Sequence, residues 1–276
     1  MKLVTFVSGG VSPKVGVVEG SQVREVLGFS EMTAAIAAGL PAITAAAKGP
    51  AQQLSSVKLL APIPRPPKVI CVGLNYRDHA IESNMPIPTI PVIFSKFSNT
   101  VIAPGEDVII PKNTEKPDYE AEFAFILGKP GRHVSKENAM DYVFGYTIVN
   151  DVSARDFQLA TSQWLMGKTF DTFCPMGPWI VTADEIPDPH NLNIGLKIDG
   201  EVVQNSSTKE LIFNIPELVA HLSSVFTFEP GDVVSTGTPP GVGLGRKPPR
   251  WLKPGETMTV WIEGIGELTN PCVAEK

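Results

Sequence analysis

The segment "KPDYEAEFAFILGK", residues 116–129, places two glutamates two positions apart beside an apolar run. As a β-strand, it separates by alternation into an acidic face with Glu120 and Glu122 and an apolar face with Phe123 and Phe125. As a helix, the two glutamates diverge by roughly 200° and no apolar stripe forms. The pattern therefore predicts a strand with one core face. It leaves two interpretations of the acidic face: exposure to solvent, or a shared cation.

A third carboxylate follows the apolar strand predicted in "GYTIVNDVSARDFQ", residues 145–158, which runs into Asn150 and Asp151. Polar side chains at the end of a buried strand are common in functional sites. If Glu120, Glu122 and Asp151 meet, they form an all-oxygen pocket with three negative charges. Such a pocket suits Mg²⁺, Mn²⁺ or Ca²⁺ and does not suit zinc. Spacing alone leaves open whether the three side chains meet.

Two further segments carry candidates for proton transfer and anion binding. "VGLNYRDHAIES", residues 72–83, has His79 and Glu82 at i and i+3, where a carboxylate can orient an imidazole as a general base. "MGKTFDTFCPMGPWIV", residues 166–181, carries Lys168 into apolar surroundings, where an ammonium needs an anion. The alternatives are an incidental ion pair on a surface helix turn and a surface lysine that keeps its charge in water.

The segment "GDVVSTGTPPGVGLG", residues 231–245, is a predicted strand that ends in a loop rich in Gly, Thr and Pro. Such a loop can offer backbone N–H groups and hydroxyls to an anion. It matches neither GxxxxGK[ST] nor GxGxxG, and no helix is predicted after it. A nucleotide site is therefore not expected.

The 276 residues have the composition of a globular protein, with 43% hydrophobic and 19% charged residues. A formal net charge of −6 and the lack of a basic stripe argue against a nucleic-acid partner. The cysteines, Cys71, Cys174 and Cys272, are too few and too widely spaced for a disulfide framework. The N-terminal "MKLVTFVSGG" is strand-like, and no apolar run approaches the roughly 20 residues of a membrane span. A cytoplasmic protein with no membrane partner is expected.

Two domains are expected, a small N-terminal α+β domain at residues 1–62 and a large, mainly β domain at 63–276. In the first, strand-like runs precede an alanine-rich helix, with Ser30 as N-cap and Pro41 restarting or kinking it. The boundary is marked by four prolines, Pro62, Pro64, Pro66 and Pro67. In the second, short strands dominate and "KIDGEVV" predicts a hairpin. Helices are expected around 76–84, in "SKENAMDYV" and in "NIPELVAHLSS".

Five of these segments, in this order, resemble the fumarylacetoacetate hydrolase superfamily: "VGLNYRDHAIE", "DYEAEFAFILGK", "NDVSARDFQ", "GKTFDTFCPMGP" and "GDVVSTGTPPGVG". The resemblance spans about residues 66–272. It implies a mainly β, β-rich α+β fold, a mixed β-sandwich roll with the metal site at one end. A homodimer is the usual assembly. The segment after Glu82, "SNMPIPTIP", is expected to be a mobile lid.

The resemblance also implies roles for individual residues. It assigns three metal ligands, for Mg²⁺ or Mn²⁺ with Ca²⁺ as a substitute in crystals: Glu120, Glu122 and Asp151. It assigns a water-activating dyad and a lysine that faces the substrate: His79, Glu82 and Lys168. It assigns polar residues of the pocket wall and of the loop that holds a substrate carboxylate: Arg155, Gln158, Thr238 and Gly237.

The activity implied is cleavage of a carbon–carbon bond in acylpyruvate-like or 2,4-dioxo acids. In that reaction a metal cation stabilises an enolate while the dyad activates water. The alternatives share the enolate: an oxaloacetate tautomerase or decarboxylase, or a ureidoglycolate lyase. A catalytically silent protein that binds a metal and an organic acid is a further alternative, but it leaves His79 and Glu82 without a purpose.

Overall fold

The computed structural model describes residues 1–10 and 12–276, and strands account for most of its regular structure. In chain order the strands are β1 (Lys2–Val7), β2 (Lys14–Glu19), β3 (Gln22–Glu25), β4 (Ala51–Gln53), β5 (Lys58–Leu60), β6 (Val69–Gly73), β7 (Val92–Lys96), β8 (Val101–Ile102), β9 (Val108–Ile110), β10 (Pro117–Asp118), β11 (Ala121–Leu127), β12 (Val143–Asn150), β13 (Ser153–Ala154), β14 (Cys174–Thr182), β15 (Asn193–Ile198), β16 (Glu201–Ser207), β17 (Val233–Ser235), β18 (Thr257–Ile262) and β19 (Gly266–Ala274).

The helices are short. The α-helices are α1 (Met32–Ala38), α2 (Leu40–Ala46), α3 (Arg77–Glu82), α4 (Arg155–Gln158), α5 (Leu165–Lys168) and α6 (Ile215–Ser223). Single 3₁₀ segments cover Leu54–Ser56, Ser98–Thr100, Lys136–Tyr142, Ala183–Glu185, Thr208–Glu210 and Gly243–Gly245. Within the described ranges, no helix has the length and apolar character needed to span a membrane.

Two sheets form the body of the protein. The larger runs in the order β4-β3-β2-β1-β14-β12-β11-β17-β6-β7, with β5 added to β1 and β8 to β14. The smaller runs β16-β15-β18-β19-β9. Most neighbours are antiparallel, but β17 pairs with β6, β14 with β8 and β19 with β9 in parallel. The predicted mainly β fold with mixed sheets is confirmed.

Strand β11 lies inside the larger sheet and is buried on both faces. Phe123 and Phe125 pack in the core shared with the smaller sheet, and Ala124 and Ile126 pack in the core that holds α1 and α2. The acidic end of the segment is buried as well. Glu122 keeps only 1% of its surface exposed, so the interpretation of the acidic face as a solvated one is wrong.

The N-terminal residues extend the larger sheet. Strand β1 pairs with β2 on one side and with β14 on the other. Met32 and Ile36 of α1 share a core with Ala124 and Ile180. The proline-rich stretch lies between β5 and β6, where the chain turns and bends, as expected of a connection. The division of the chain at residues 62 and 63 stays a prediction.

Three local expectations have clear outcomes. The alanine-rich helix is split as Pro41 predicted, since α1 ends at Ala38 and α2 carries Pro41 in its first turn. The predicted N-cap is wrong: the chain is still extended at Glu31, which takes the N-cap position instead of Ser30. The hairpin in "KIDGEVV" is confirmed, with Asp199 and Gly200 at positive φ between β15 and β16.

Candidate active site

Three carboxylates meet where β11 and β12 end. Ala121 pairs with Asn150, which brings the residues just beyond that pair, Glu120 and Asp151, side by side. The backbone N–H of Asp151 donates to the carbonyl of Glu120 at 3.0 Å, and Glu120 N donates to Asn150 Oδ1 at 3.1 Å. One oxygen each from Glu120, Glu122 and Asp151 lies within 4.8 Å of the others. The pairing of β11 with β12 therefore brings together three carboxylates whose contact the sequence spacing left open.

Buried cations surround two of these carboxylates. Lys168 Nζ donates to Glu120 at 2.7 Å and to Asp151 at 2.8 Å. Arg155 contacts the other oxygen of Glu120 at 2.6 Å. Lys96 donates to the other oxygen of Asp151 and to the carbonyl of Val152. Lys168 is therefore a buried lysine paired with two carboxylates, and the alternative of a surface lysine that keeps its charge in water is wrong.

The two glutamates differ in electrostatic environment although they share one face. Burial raises the pKa of Glu120, but the charges of Arg155 and Lys168 outweigh it and lower this pKa to about 2. Burial, together with Asp151 and Glu120, raises the pKa of Glu122 well above its ordinary value. The protein's own cations therefore compensate Glu120 and leave the charge of Glu122 uncompensated. That is where a further cation would be stabilised.

The carboxylate oxygens keep room for such a cation. Glu122 accepts hydrogen bonds from Ser235 Oγ and from Gly237 N, the latter at 3.1 Å, both at Oε2. Both donors bond Oε2, which leaves Oε1 of Glu122 to face an ion. Glu120 Oε2 and Asp151 Oδ2 each accept from Lys168, and since a carboxylate oxygen has two lone pairs, each can still bind an ion. The donor set is oxygen alone, which fits Mg²⁺, Mn²⁺ or Ca²⁺. The residues present fit a divalent metal.

Gly237 has a conformational reason for its place beside Glu122. Its φ is +97°, and a Cβ there would lie 2.9 Å from the carbonyl oxygen of Val72. Another residue would have to move the loop that delivers the Gly237 N–H to Glu122. The neighbouring Thr238 lines the cavity and accepts a hydrogen bond from Gln204 Nε2 at 2.9 Å.

The predicted His79 and Glu82 pair forms on α3, beside the carboxylates. His79 Nδ1 lies 3.2 Å from Glu82 Oε2. Glu82 also accepts from the backbone N–H of Gly241, at 3.1 Å to each oxygen. The hydrogen bond from His79 is the main cause of a lowered pKa of Glu82, with the Gly241 N–H adding to it. Glu82 is therefore held as a carboxylate that can orient the imidazole.

A cavity of about 550 Å³ joins these groups. Its polar wall contains most of the predicted site residues: His79, Glu82, Glu120, Glu122, Arg155, Gln158, Lys168 and Thr238. Its apolar lining residues include Val72, Met85, Leu159, Trp164 and Val242. Asp151 has no exposed surface. It is linked to the lining residue Glu120 through Lys168, which contacts both carboxylates. Ser83, Asn84 and Met85 of the predicted lid also line the cavity, but the mobility of that segment stays a prediction.

Sequence reasoning missed residues whose partners lie far along the chain. Lys96 ends a strand-like run, "VIFSK", 55 residues before Asp151, and its only local signal is a charge at the end of that run. Ser235 is 113 residues from Glu122. Asp118 stands in the opening segment, but its role depends on Arg155 and on residues 243 and 244.

Replacing Lys96 with methionine is expected to lower the free energy of unfolding by about 3–5 kcal/mol, because it breaks a buried ion pair and leaves one oxygen of Asp151 without a donor. Urea unfolding of the metal-free protein measures this. Lys197→Met is the matched control. Lys197 and Glu267 form an exposed pair at 3.7 Å, so its loss should cost less than about 1 kcal/mol. Equal losses in the two variants would contradict the prediction.

Residues 68–273 match the family model described as fumarylacetoacetate (FAA) hydrolase C-terminal, and the chain belongs to the fumarylacetoacetate hydrolase family. It is 50% identical over 221 residues to the oxaloacetate tautomerase fahd2, mitochondrial, of Xenopus laevis, over 79% of this chain and 69% of that protein. That relative belongs to the fumarylacetoacetate hydrolase domain-containing protein 2 group. The segments "KTFDTFCPMGPWIVT" and "DPHNLNI" predict a similarity to this group, and the similarity of the chain to the group is confirmed.

Solved structures of the family share the whole fold. The fumarylacetoacetate hydrolase of Exiguobacterium antarcticum matches with a TM-score of 0.89 and 37% identity, over 100% of both chains. The maleylpyruvate hydrolase of Sphingobium sp. SYK-6, in complex with manganese(II) ion and pyruvate, matches with a TM-score of 0.85 and 30% identity, again over 100% of both. Family members are enzymes that act on 2-oxo acids, as the sequence predicted. The homodimer and the cytoplasmic location stay predictions.

Proposed function

We propose that this protein is a metal-dependent oxaloacetate tautomerase, which interconverts the keto and enol forms. The observation that carries the proposal is a cavity whose lining includes Glu120 and Glu122 of the carboxylate trio together with the His79–Glu82 pair. The similarity to an oxaloacetate tautomerase at 50% identity supports this reaction over the others that share the enolate.

Glu120, Glu122 and Asp151 would hold the metal, with Mg²⁺ or Mn²⁺ as the expected ion. When bound, a divalent ion supplies Lewis-acid polarisation of the carboxylate and keto oxygens of a 2-oxo acid. The raised pKa of Glu122 supports this assignment, since a bound cation would relieve the cause of that shift.

The local charge suits an anionic substrate once a divalent ion is present. The buried acids are Asp118, Glu120, Glu122 and Asp151, and the buried bases paired with them are Lys96, Arg155 and Lys168. Four negative and three positive charges leave one negative charge, and a divalent ion changes it to one positive charge. Such a site attracts the carboxylate of a 2-oxo acid.

His79 and Glu82 would move the proton that tautomerisation requires. Glu82 fixes the orientation of the imidazole. His79 takes the proton from C3 of the keto acid and delivers it to the C2 oxygen, which gives the enol, and the reverse transfer regenerates the keto form. Burial opposes the charge of Lys168, but Asp151 and Glu120 outweigh it and raise its pKa, so the side chain stays an ammonium. Lys168 can therefore donate a hydrogen bond to the C2 oxygen as negative charge develops there.

A second candidate is the hydrolysis of acylpyruvate-like or 2,4-dioxo acids, with His79 activating water. The observation that favours it is the size of the cavity, about 550 Å³, and its apolar wall with Trp164 and Leu159, because oxaloacetate offers little apolar surface to such a wall. The likeness to a maleylpyruvate hydrolase at 30% identity agrees with this candidate.

A substrate panel separates these candidates. Metal-free protein is supplied with Mg²⁺ or Mn²⁺ and incubated with oxaloacetate, acylpyruvates and maleylpyruvate. Decay of enol absorbance reports tautomerisation, carbon dioxide release reports decarboxylation, and pyruvate formation from the dioxo acids reports cleavage. Wild type is expected to accelerate enol–keto exchange only with metal, and Glu120→Ala is expected to lose both metal and activity. Cleavage of dioxo acids without acceleration of enol decay would replace the first candidate by the second, and activity in Glu120→Ala would mean that the site is misplaced.

A further inference from the structure

We propose that Asp118 is a positioning residue that ties the metal centre to the His79–Glu82 pair, an inference that rests on the proposed metal site. Asp118 is fully buried, and neither the charge pattern nor the resemblance assigns a role to it. Its two oxygens accept hydrogen bonds from two directions. One direction leads to Glu120, and the other leads to Glu82.

The first direction runs through Arg155. Arg155 Nε donates to Asp118 Oδ2 at 2.8 Å, and another nitrogen of the same guanidinium contacts Glu120 at 2.6 Å. A guanidinium is rigid and planar, so a carboxylate that fixes one edge also fixes the direction of the others. Asp118 therefore determines where Arg155 presents its charge to Glu120.

The second direction runs through residues 241–245, "GVGLG", here called the glycine loop. Gly243 N donates to Asp118 Oδ1 at 2.7 Å and Leu244 N donates to Oδ2 at 3.0 Å. A Cβ at Gly243 would lie 2.7 Å from Asp118 Oδ1 and would also collide with the carbonyl of Arg250. The glycine is thus required for the close approach of loop and carboxylate.

The same loop holds Glu82. Gly241 N donates to both oxygens of Glu82 at 3.1 Å, only two residues before the N–H that Asp118 accepts. One short loop therefore receives two carboxylates, Asp118 from the metal side and Glu82 from the dyad side. Displacing the loop from Asp118 would move the donor that orients Glu82, and with it His79.

The test compares Asp118→Asn with Asp232→Asn. Asp232 is also fully buried and accepts a backbone N–H, from Glu229 at 2.8 Å, and a cation, Lys68 at 3.0 Å, but it lies outside the site. Asparagine at position 118 keeps one acceptor and loses the charge and the second acceptor. Mn²⁺ is the probe, and its binding to the metal-free proteins is measured by calorimetry. Hydrogen exchange of individual amides is measured by NMR in the diamagnetic, metal-free proteins.

Asp118→Asn is expected to weaken Mn²⁺ binding about 10- to 100-fold, as loss of a group behind a metal ligand typically does. The amides of Gly243 and Leu244 should exchange faster, and kcat at saturating metal should fall about tenfold with little change in KM, because the general base is misoriented while substrate binding is retained. In Asp232→Asn, Mn²⁺ binding and kcat per folded molecule should be unchanged. Asp118→Asn with wild-type Mn²⁺ affinity and wild-type kcat would overturn the inference while leaving the proposed function intact.

If Asp118→Asn does not fold, the wild-type protein still tests the coupling between the metal site and the glycine loop. Mg²⁺ binding should slow exchange at the amides of Gly243 and Leu244, because the chain Glu120–Arg155–Asp118 reaches them. The amide of Glu229, which Asp232 holds, is the internal control and should not respond. No change at Gly243 and Leu244 would overturn the coupling. A wild type that binds neither ion would instead overturn the proposed function.

Discussion

Replacing Glu122 with glutamine is expected to abolish metal binding and to lower turnover at least about a thousandfold, roughly 4 kcal/mol of barrier, while making the metal-free protein more stable. Ser235 and Gly237 can still donate to the amide oxygen, so the local hydrogen bonds survive. The charge that burial, Asp151 and Glu120 disfavour is removed. Stability and activity should therefore move in opposite directions.

The pH dependence has a definite sign. The folded protein holds the Glu122 proton more tightly than the unfolded chain, because the folded pKa lies above the ordinary value of 4.5. Stability of the metal-free wild type should therefore fall as pH rises from that value through the folded pKa, and Glu122→Gln should lack this component. Urea unfolding in the presence of a chelator measures both. Glu267→Gln, on the exposed side of β19, is the control for charge removal.

In the same experiment, Asp151→Asn is expected to change the stability of the metal-free protein in the opposite direction from Glu122→Gln. Asp151 has Lys96 and Lys168 as partners, so removing its charge leaves Lys96 without its carboxylate and Lys168 with Glu120 alone. The metal-free protein should lose about 3–5 kcal/mol of stability while the metal is lost as well. If both variants lowered stability equally, the carboxylates would not differ as their environments require.

Local patterns predicted the parts of this site that local geometry determines. Alternation predicted that Glu120 and Glu122 point the same way, and their carboxylates do meet although β11 begins only at Ala121. The i, i+3 spacing placed His79 against Glu82. Asp-Gly predicted a hairpin because Asp199 and Gly200 both take positive φ there. Each of these inferences uses residues within one turn or one strand of each other.

The remainder depends on contacts that no local pattern encodes. The carboxylates are buried because Arg155, Lys168 and Ser235, which lie far along the chain, pack against them, and alternation in β11 does not reveal this. Strand β11 also begins later than the pattern suggests, since Pro117 and Asp118 form a separate strand that pairs with β13, while Ala121 begins the pairing with β12. That break directs Asp118 toward the glycine loop, 125 residues away.

His79→Ala is expected to retain the metal and to lower turnover about 10²- to 10⁴-fold, the usual contribution of a general base. The imidazole contacts Glu82, whereas the three carboxylates are held by Lys96, Arg155, Lys168 and the Ser235 segment, so metal affinity should not change. Calorimetry with Mn²⁺ and enol–keto exchange kinetics measure the two effects. His221→Ala, on α6, is the matched control and should leave both unchanged.

The sharper test is the double variant, because His79 and Glu82 should act as one unit. Glu82→Gln weakens the orientation of the imidazole, and it should cost part of what His79→Ala costs. Once His79 is gone, Glu82 has no imidazole to orient, so His79→Ala with Glu82→Gln should be no slower than His79→Ala alone. Effects that multiply would show that Glu82 acts on the substrate by itself. The hydrogen bond of 3.2 Å between the two side chains would then be incidental to the reaction.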